Sequence, residues 1–105
     1  MIEIKISKDF TVTPGARNYK DGPFSGEEFY DKVLKVKFQE AIKTGVKLKV
    51  DLDGTDGYAS SFLNEAFSRL GNEFGAKEAE NNLIIISNEV PKYLKKVKES
   101  INEKR

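Results

Sequence analysis

Residues 46–63 read Val-Lys-Leu-Lys-Val-Asp-Leu-Asp-Gly-Thr-Asp-Gly-Tyr-Ala-Ser-Ser-Phe-Leu. Val46 to Leu52 reads as a strand, and Asp53-Gly54 stops it with turn chemistry. After a short loop, Ser60 or Ser61 is placed to cap a helix. In that helix Phe62 or Leu63, Ala66, Phe67, Leu70 and Phe74 make one apolar stripe, and Gly75 suits its end. This strand–loop–helix unit decides the fold, because the segments on either side repeat its logic.

Upstream, Met1 to Ser7 alternates apolar and polar with Ile2, Ile4 and Ile6 on one face, the period of a half-buried strand. Phe10 to Thr13 is a candidate short second strand. Pro14 to Gly26 is turn-rich and reads as a loop. Ser25 with Glu28 fits a capping box, opening a helix to about Lys43 with Tyr30, Leu34, Phe38 and Ala41 on one face and Gly45 at its end. Downstream, Leu83-Ile84-Ile85-Ile86 is a continuous apolar run, expected of a strand covered on both faces. Asn88 and Pro91 then open a last helix with Val90, Leu94, Val97 and Ile101 on its buried side. Alternation of strands and helices predicts one α/β domain over residues 1–105. Its sheet is mostly parallel or mixed, with about three to five strands and about three helices.

Composition removes whole classes of chemistry. The 105 residues contain no cysteine and no histidine. Disulfides, thiol nucleophiles, histidine triads and histidine metal sites are therefore excluded. Lys and Arg number 18 against 17 Asp and Glu, a net charge of +1, so binding of nucleic acid by bulk charge is disfavoured. No apolar run approaches the ~18 residues of a membrane span, and the N-terminus has no signal-peptide core. A cytoplasmic protein without a membrane association is expected. Charge is nonetheless uneven: residues 51–90 carry 8 acidic and 2 basic side chains, whereas residues 91–105 carry 6 basic and 2 acidic. The acidic stretch reads either as a solvated surface or as an electrostatically marked docking face.

Asp51-Leu52-Asp53-Gly54-Thr55 resembles the first motif of haloacid dehalogenase-type phosphatases. There the first Asp attacks phosphorus, the second handles the leaving-group proton, and both bind magnesium. The later Lys and downstream acidic pair of that family are not matched, since no Asp follows Asp56. As an enzyme the chain would be a magnesium-dependent phosphatase on Asp51 and Asp53.

The longer segment from Val50 through Tyr58-Ala59-Ser60-Ser61 into Phe62-Leu63 resembles the strand, loop and helix of STAS domains, the fold of anti-sigma-factor antagonists. In that family the second serine of the pair is phosphorylated by a partner kinase, and Ser61 holds the matching position. Ala59 stands where the family has Asp, and Phe62 where it has Gly. Gly15, Arg17, Asp21-Gly22-Pro23 and Ser25-Gly26-Glu27, together with Ser60-Ser61-Phe62 and Glu65, resemble the uncharacterised STAS-like family of bacterial proteins. The resemblance implies a non-catalytic regulatory or adaptor module that binds a kinase or ATPase-type regulator through the loop and helix at 53–70. Asp53, Asp56, Tyr58, Ser60, Ser61, Phe62 and Glu65 are the candidate contacts. Ser61 is the candidate phosphoacceptor, and no metal or cofactor is expected. Glu65 lies one turn beyond Ser61 and is expected to share its surface. A stand-alone inhibitor of mobile-element type, acting through the acidic face, is the alternative.

Overall fold

The computed structural model describes residues 1–105. The first strand, β1 (Ile2–Lys5), is shorter than its alternating pattern suggests. At Ile6 the chain turns into one helical turn, α1 (Ile6–Asp9), because the Ile6 carbonyl accepts from the N–H groups of both Phe10 and Thr11. Asp9 reaches back to accept from the Lys5 N–H at 2.8 Å. The turn still buries Ile6 completely, so the apolar period serves a strand that becomes a helix. Phe10 to Thr13 forms no strand. Its backbone braces the loop before the central helix instead, Val12 accepting from Asp56 N–H at 2.8 Å and Pro14 from Ala59 N–H at 3.2 Å.

Helix α2 runs from Gly26 to Thr44 in three parts: Gly26–Phe29 and Lys35–Thr44 are α-helical, and Tyr30–Leu34 between them is π-helical. Ser25 caps it by accepting from Glu28 N–H at 3.0 Å. The capping box is displaced by one residue, since the Glu28 carboxylate takes the N–H of Phe24. Tyr30, Leu34, Phe38 and Ala41 are all buried, as the spacing predicts. Gly45 closes the helix at φ 73°, a left-handed conformation that a Cβ would strain.

Strand β2 (Leu48–Asp51) follows, then α3 (Ser60–Phe74), α4 (Ala76–Asn81), β3 (Leu83–Ile86) and α5 (Lys92–Asn102). The sheet is wholly parallel in the order β1-β2-β3, with Ile2, Leu48 and Leu83 in register. β3 is thus an edge strand, and only Leu83 in it is buried; Ile84, Ile85 and Ile86 are half-buried. The expectation of a strand covered on both faces is not met, since three of its four residues stay only half-buried at the edge of the sheet. Gly75, at φ 93°, ends α3 and lets α4 begin at once, a helix the sequence pattern did not announce. In α5, Val97 and Ile101 are buried, but Leu94 is 42 % exposed rather than inside.

One core joins Ile4, Leu48 and Val50 of the sheet to Phe29 and Phe38 of α2, Phe62, Phe67 and Leu70 of α3, and Ile101 of α5. α3 is its axis, packed on both α2 and α5. Two glycines let it pack so closely. A Cβ on Gly26 would lie 2.5 Å from the Phe62 carbonyl oxygen, and one on Gly71 would lie 1.9 Å from that of Ile101. Both obstacles are backbone and cannot swing aside. Gly71→Ala is expected to cost about 1–3 kcal/mol or more through overpacking. Gly15→Ala, where nothing lies within 4 Å, should stay within about 0.5 kcal/mol. Urea midpoints of the two variants measure the difference.

Candidate functional site

The loop after β2 and the loop after β3 both leave the carboxyl edge of the parallel sheet, where α/β domains place their sites. Side chains expected to face a partner tie these loops together. The Asp53 carboxylate accepts from the N–H groups of Asn88 and Glu89 at 3.1 and 3.0 Å. Glu89 returns the contact by accepting from Gly54 N–H at 2.7 Å. Asp51 pairs with Lys5 at 3.2 Å and accepts from Asp53 N–H at 2.9 Å. Tyr58 is buried, donates its hydroxyl to the Leu52 carbonyl at 2.9 Å, and donates its backbone N–H to the Tyr93 hydroxyl at 3.0 Å. Burial pushes the Tyr58 phenol well above its ordinary value, so it stays a proton donor throughout the physiological range.

Neither serine caps α3. The cap position is Ala59, whose side chain makes no capping bond, and Ser60 and Ser61 are already the first two helical residues. Their hydroxyls therefore have no structural task in the helix start. Ser60 is exposed and Ser61 half-buried. Ser61 lines a cleft of about 600 Å³ with Thr13, Gly15, Arg17 and the turn Asp21-Gly22-Pro23. Phe62 is fully buried: its ring stacks on Phe29 at 5.7 Å and tilts against Tyr58 at 5.8 Å, so it faces the core and not a partner. Asp56 is exposed, and its carboxylate is open to solvent.

Glu65 does not share an outer surface with Ser61. It is 2 % exposed and receives all three arginines of the chain: Arg17 at 3.2 Å, Arg105 at 3.0 Å, and Arg69 one turn along α3. Arg69 also pairs with Glu27 at 3.3 Å. Asn64 beside it accepts from Arg17 at 3.0 Å and donates to Glu103 at 2.6 Å. Burial alone would raise the Glu65 carboxyl, but hydrogen bonds from Arg69, Arg105 and Arg17 outweigh it and hold the group below its ordinary value. Sequence reasoning missed this cluster. The only local sign of it is the Glu65–Arg69 spacing; Arg17 and Arg105 arrive from opposite ends of the chain.

The acidic stretch is in this way largely consumed from within. Asp51, Asp53, Glu65 and Glu89 are held as described, and Glu73 takes Lys35 at 2.8 Å and the Tyr30 hydroxyl. The three lysines on the first turns of α5, by contrast, make no ion pair.

A three-stranded parallel sheet crossed by helices, with a serine pair opening the helix after the central strand, defines a small α/β domain of STAS type. The chain belongs to the family described as STAS-like domain of unknown function (DUF4325), which it matches over residues 25–93. The match begins at the serine that caps α2 and takes in β2, the serine pair, α3, β3 and the start of α5. Gly15, Arg17 and Asp21-Gly22-Pro23 precede it. No curated protein and no solved structure gives a significant match. No helix is long and apolar enough to cross a membrane.

Two measurements follow from this geometry. Glu65→Gln should cost about 1–3 kcal/mol at neutral pH, since it removes the charge that three arginines solvate. Because the folded-state carboxyl lies below its ordinary value of 4.5, the charged group's contribution is present above that pH and is lost as pH falls through the folded value. The gap in urea midpoint between wild type and Glu65→Gln should therefore narrow on acidification below about pH 4.5 and not on raising pH above 7. Separately, with their carboxylates already engaged, Asp51 and Asp53 should bind magnesium no more tightly than about millimolar by isothermal titration.

Proposed function

We propose that this protein is a non-catalytic regulatory or adaptor module that binds a protein partner at the carboxyl edge of its sheet, within residues 53–70, with Ser61 as a phosphorylation switch. The observation that carries the reading is the pair of hydroxyls at Ser60 and Ser61, free of any capping duty, on the first turn of the most deeply packed helix in the domain. A rigid helix presents these groups at a fixed position. The contact surface is made by Asp56, Ser60 and Ser61, while Tyr58, Phe62 and Glu65 support it from behind. The resemblance to STAS domains supplies the class of partner, a kinase or ATPase-type regulator, by analogy of fold.

Phosphate on Ser61 would add about −1.5 to −2 charges beside the free N–H groups of the α3 first turn, a favourable position. Arg17 lines the same cleft and offers a guanidinium for charge-assisted hydrogen bonds. The modification would thus leave the fold intact while changing the charge a partner meets. The engagement of Asp51 by Lys5 and of Asp53 by two backbone N–H groups supports an adaptor over a phosphatase.

Ser61→Ala should leave stability within about 0.5 kcal/mol, because Ser61 is not the cap, and should retain the partner. Ser61→Asp should melt within a few degrees of wild type and lose it. The readouts are thermal melts, mass spectrometry for phosphate on Ser61 in protein from the native host, and quantitative capture from that host. Equal capture by both variants, with Ser61 unmodified, would refute the switch.

A further inference from the structure

We propose that the cleft between the first turn of α3 and the first turns of α5 is a docking groove for an acidic peptide segment of a protein partner. The proposal rests on the adaptor reading and supplies the chemistry of what the adaptor holds. The groove encloses about 390 Å³, with Ser60 and Leu63 on one side and Lys92, Tyr93, Lys95 and Lys96 on the other. Three ammonium groups that make no ion pair stand together on one wall. Glu99 is the one carboxylate in the lining. In a chain of net charge +1, this is a local concentration of uncompensated positive charge. The opposite wall adds the uncapped start of a 15-residue helix, whose free N–H groups favour the same sign of ligand.

The donors also bear on the ligand. The cations of the groove are all lysines, compact point charges on flexible stems. Successive Asp or Glu side chains suit such a row. Its floor is apolar: Leu63 lies beside Tyr58 and Tyr93, whose rings meet edge to face at 5.2 Å. One aliphatic or aromatic side chain between acidic ones would fill it. A nucleic acid fits worse, because the lysine row is short and a chain of net charge +1 gives a phosphate backbone little to follow beyond it.

The test uses the full chain and a fluorescein-labelled peptide Glu-Glu-Leu-Glu-Glu, with binding read by anisotropy at low salt and located by amide NMR shifts. Saturable binding is expected, with shifts concentrated at Ser60, Leu63 and Lys92 to Lys96. The double variant Lys95→Glu, Lys96→Glu should weaken it by about tenfold or more, on the order of 1.4 kcal/mol. Lys43→Glu with Lys47→Glu, the same change in charge at the far end of α2, should leave it nearly unchanged. Equal weakening by both pairs would overturn the proposal, as would no binding at millimolar peptide. Tighter binding of single-stranded DNA to the same residues would overturn it as well, and so would a dimer of the chain joined through the groove. The two readings fail separately. Groove binding with partner capture indifferent to Ser61→Asp keeps the groove and removes the switch. A partner sensitive to Ser61→Asp but to neither lysine pair keeps the switch and removes the groove.

Discussion

A carboxylate removed from water costs several kcal/mol unless hydrogen bonds replace its hydration, and Glu65 meets that requirement by drawing in distant parts of the chain. Arg17 fixes the long N-terminal loop, Arg69 links α3 to Glu27 at the start of α2, and Arg105 holds the residues after α5. The last contact is reinforced along one face of α3, where Ser68 and Asn72 also bond Arg105. The ion cluster orders segments that the apolar core does not reach. Lys35 and Glu73 do similar work where α2 passes the end of α3.

The same commitment shapes the surface. With every arginine and most of the central carboxylates paired within the domain, the charge a partner can read differs from the charge the sequence displays. Residues 51–90 look acidic when counted along the chain, yet their carboxylates mostly satisfy Lys5, Lys35, three arginines and backbone N–H groups. What remains outward near the serine pair is the lone Asp56 and the lysine row of α5. Membership of the STAS-like family accounts for the scaffold and says nothing of this redistribution, which follows from contacts between residues far apart in sequence.

That distinction also marks how far the sequence could be read. The alternation of strands and helices, the buried face of α2 and the glycine that closes it were legible because each is set by residues within a few positions of one another. Ser25 was recognised as a cap by the same local logic. Ser60 and Ser61 were not distinguishable from caps, since only backbone geometry shows that Ala59 holds that position. The end of β1 was misjudged because Ile6 is buried equally well by a strand or by the helical turn that replaces it. Leu83 to Ile86 has the composition of a central strand, and nothing local tells that the sheet stops there. Gly26 and Gly71 reveal their purpose only once α3 lies against its neighbours. Glu65 was singled out, but its burial depends on Arg17 and Arg105 and could not be read from α3 alone.

The wholly parallel sheet bears on how the chain reaches this state. Ile2 pairs with Leu48, and Leu48 with Leu83, so no strand meets its neighbour until a complete helical crossover has been made. Such non-local pairings pay loop-closure entropy before they gain contacts, and they form slowly compared with hairpins. β3 joins last in synthesis, and its Leu-Ile-Ile-Ile run stays available to other chains until β2 accepts it. Even then one edge of β3 remains without a strand. Slow pairing and an open strand edge together make the yield of correctly paired molecules on refolding sensitive to concentration.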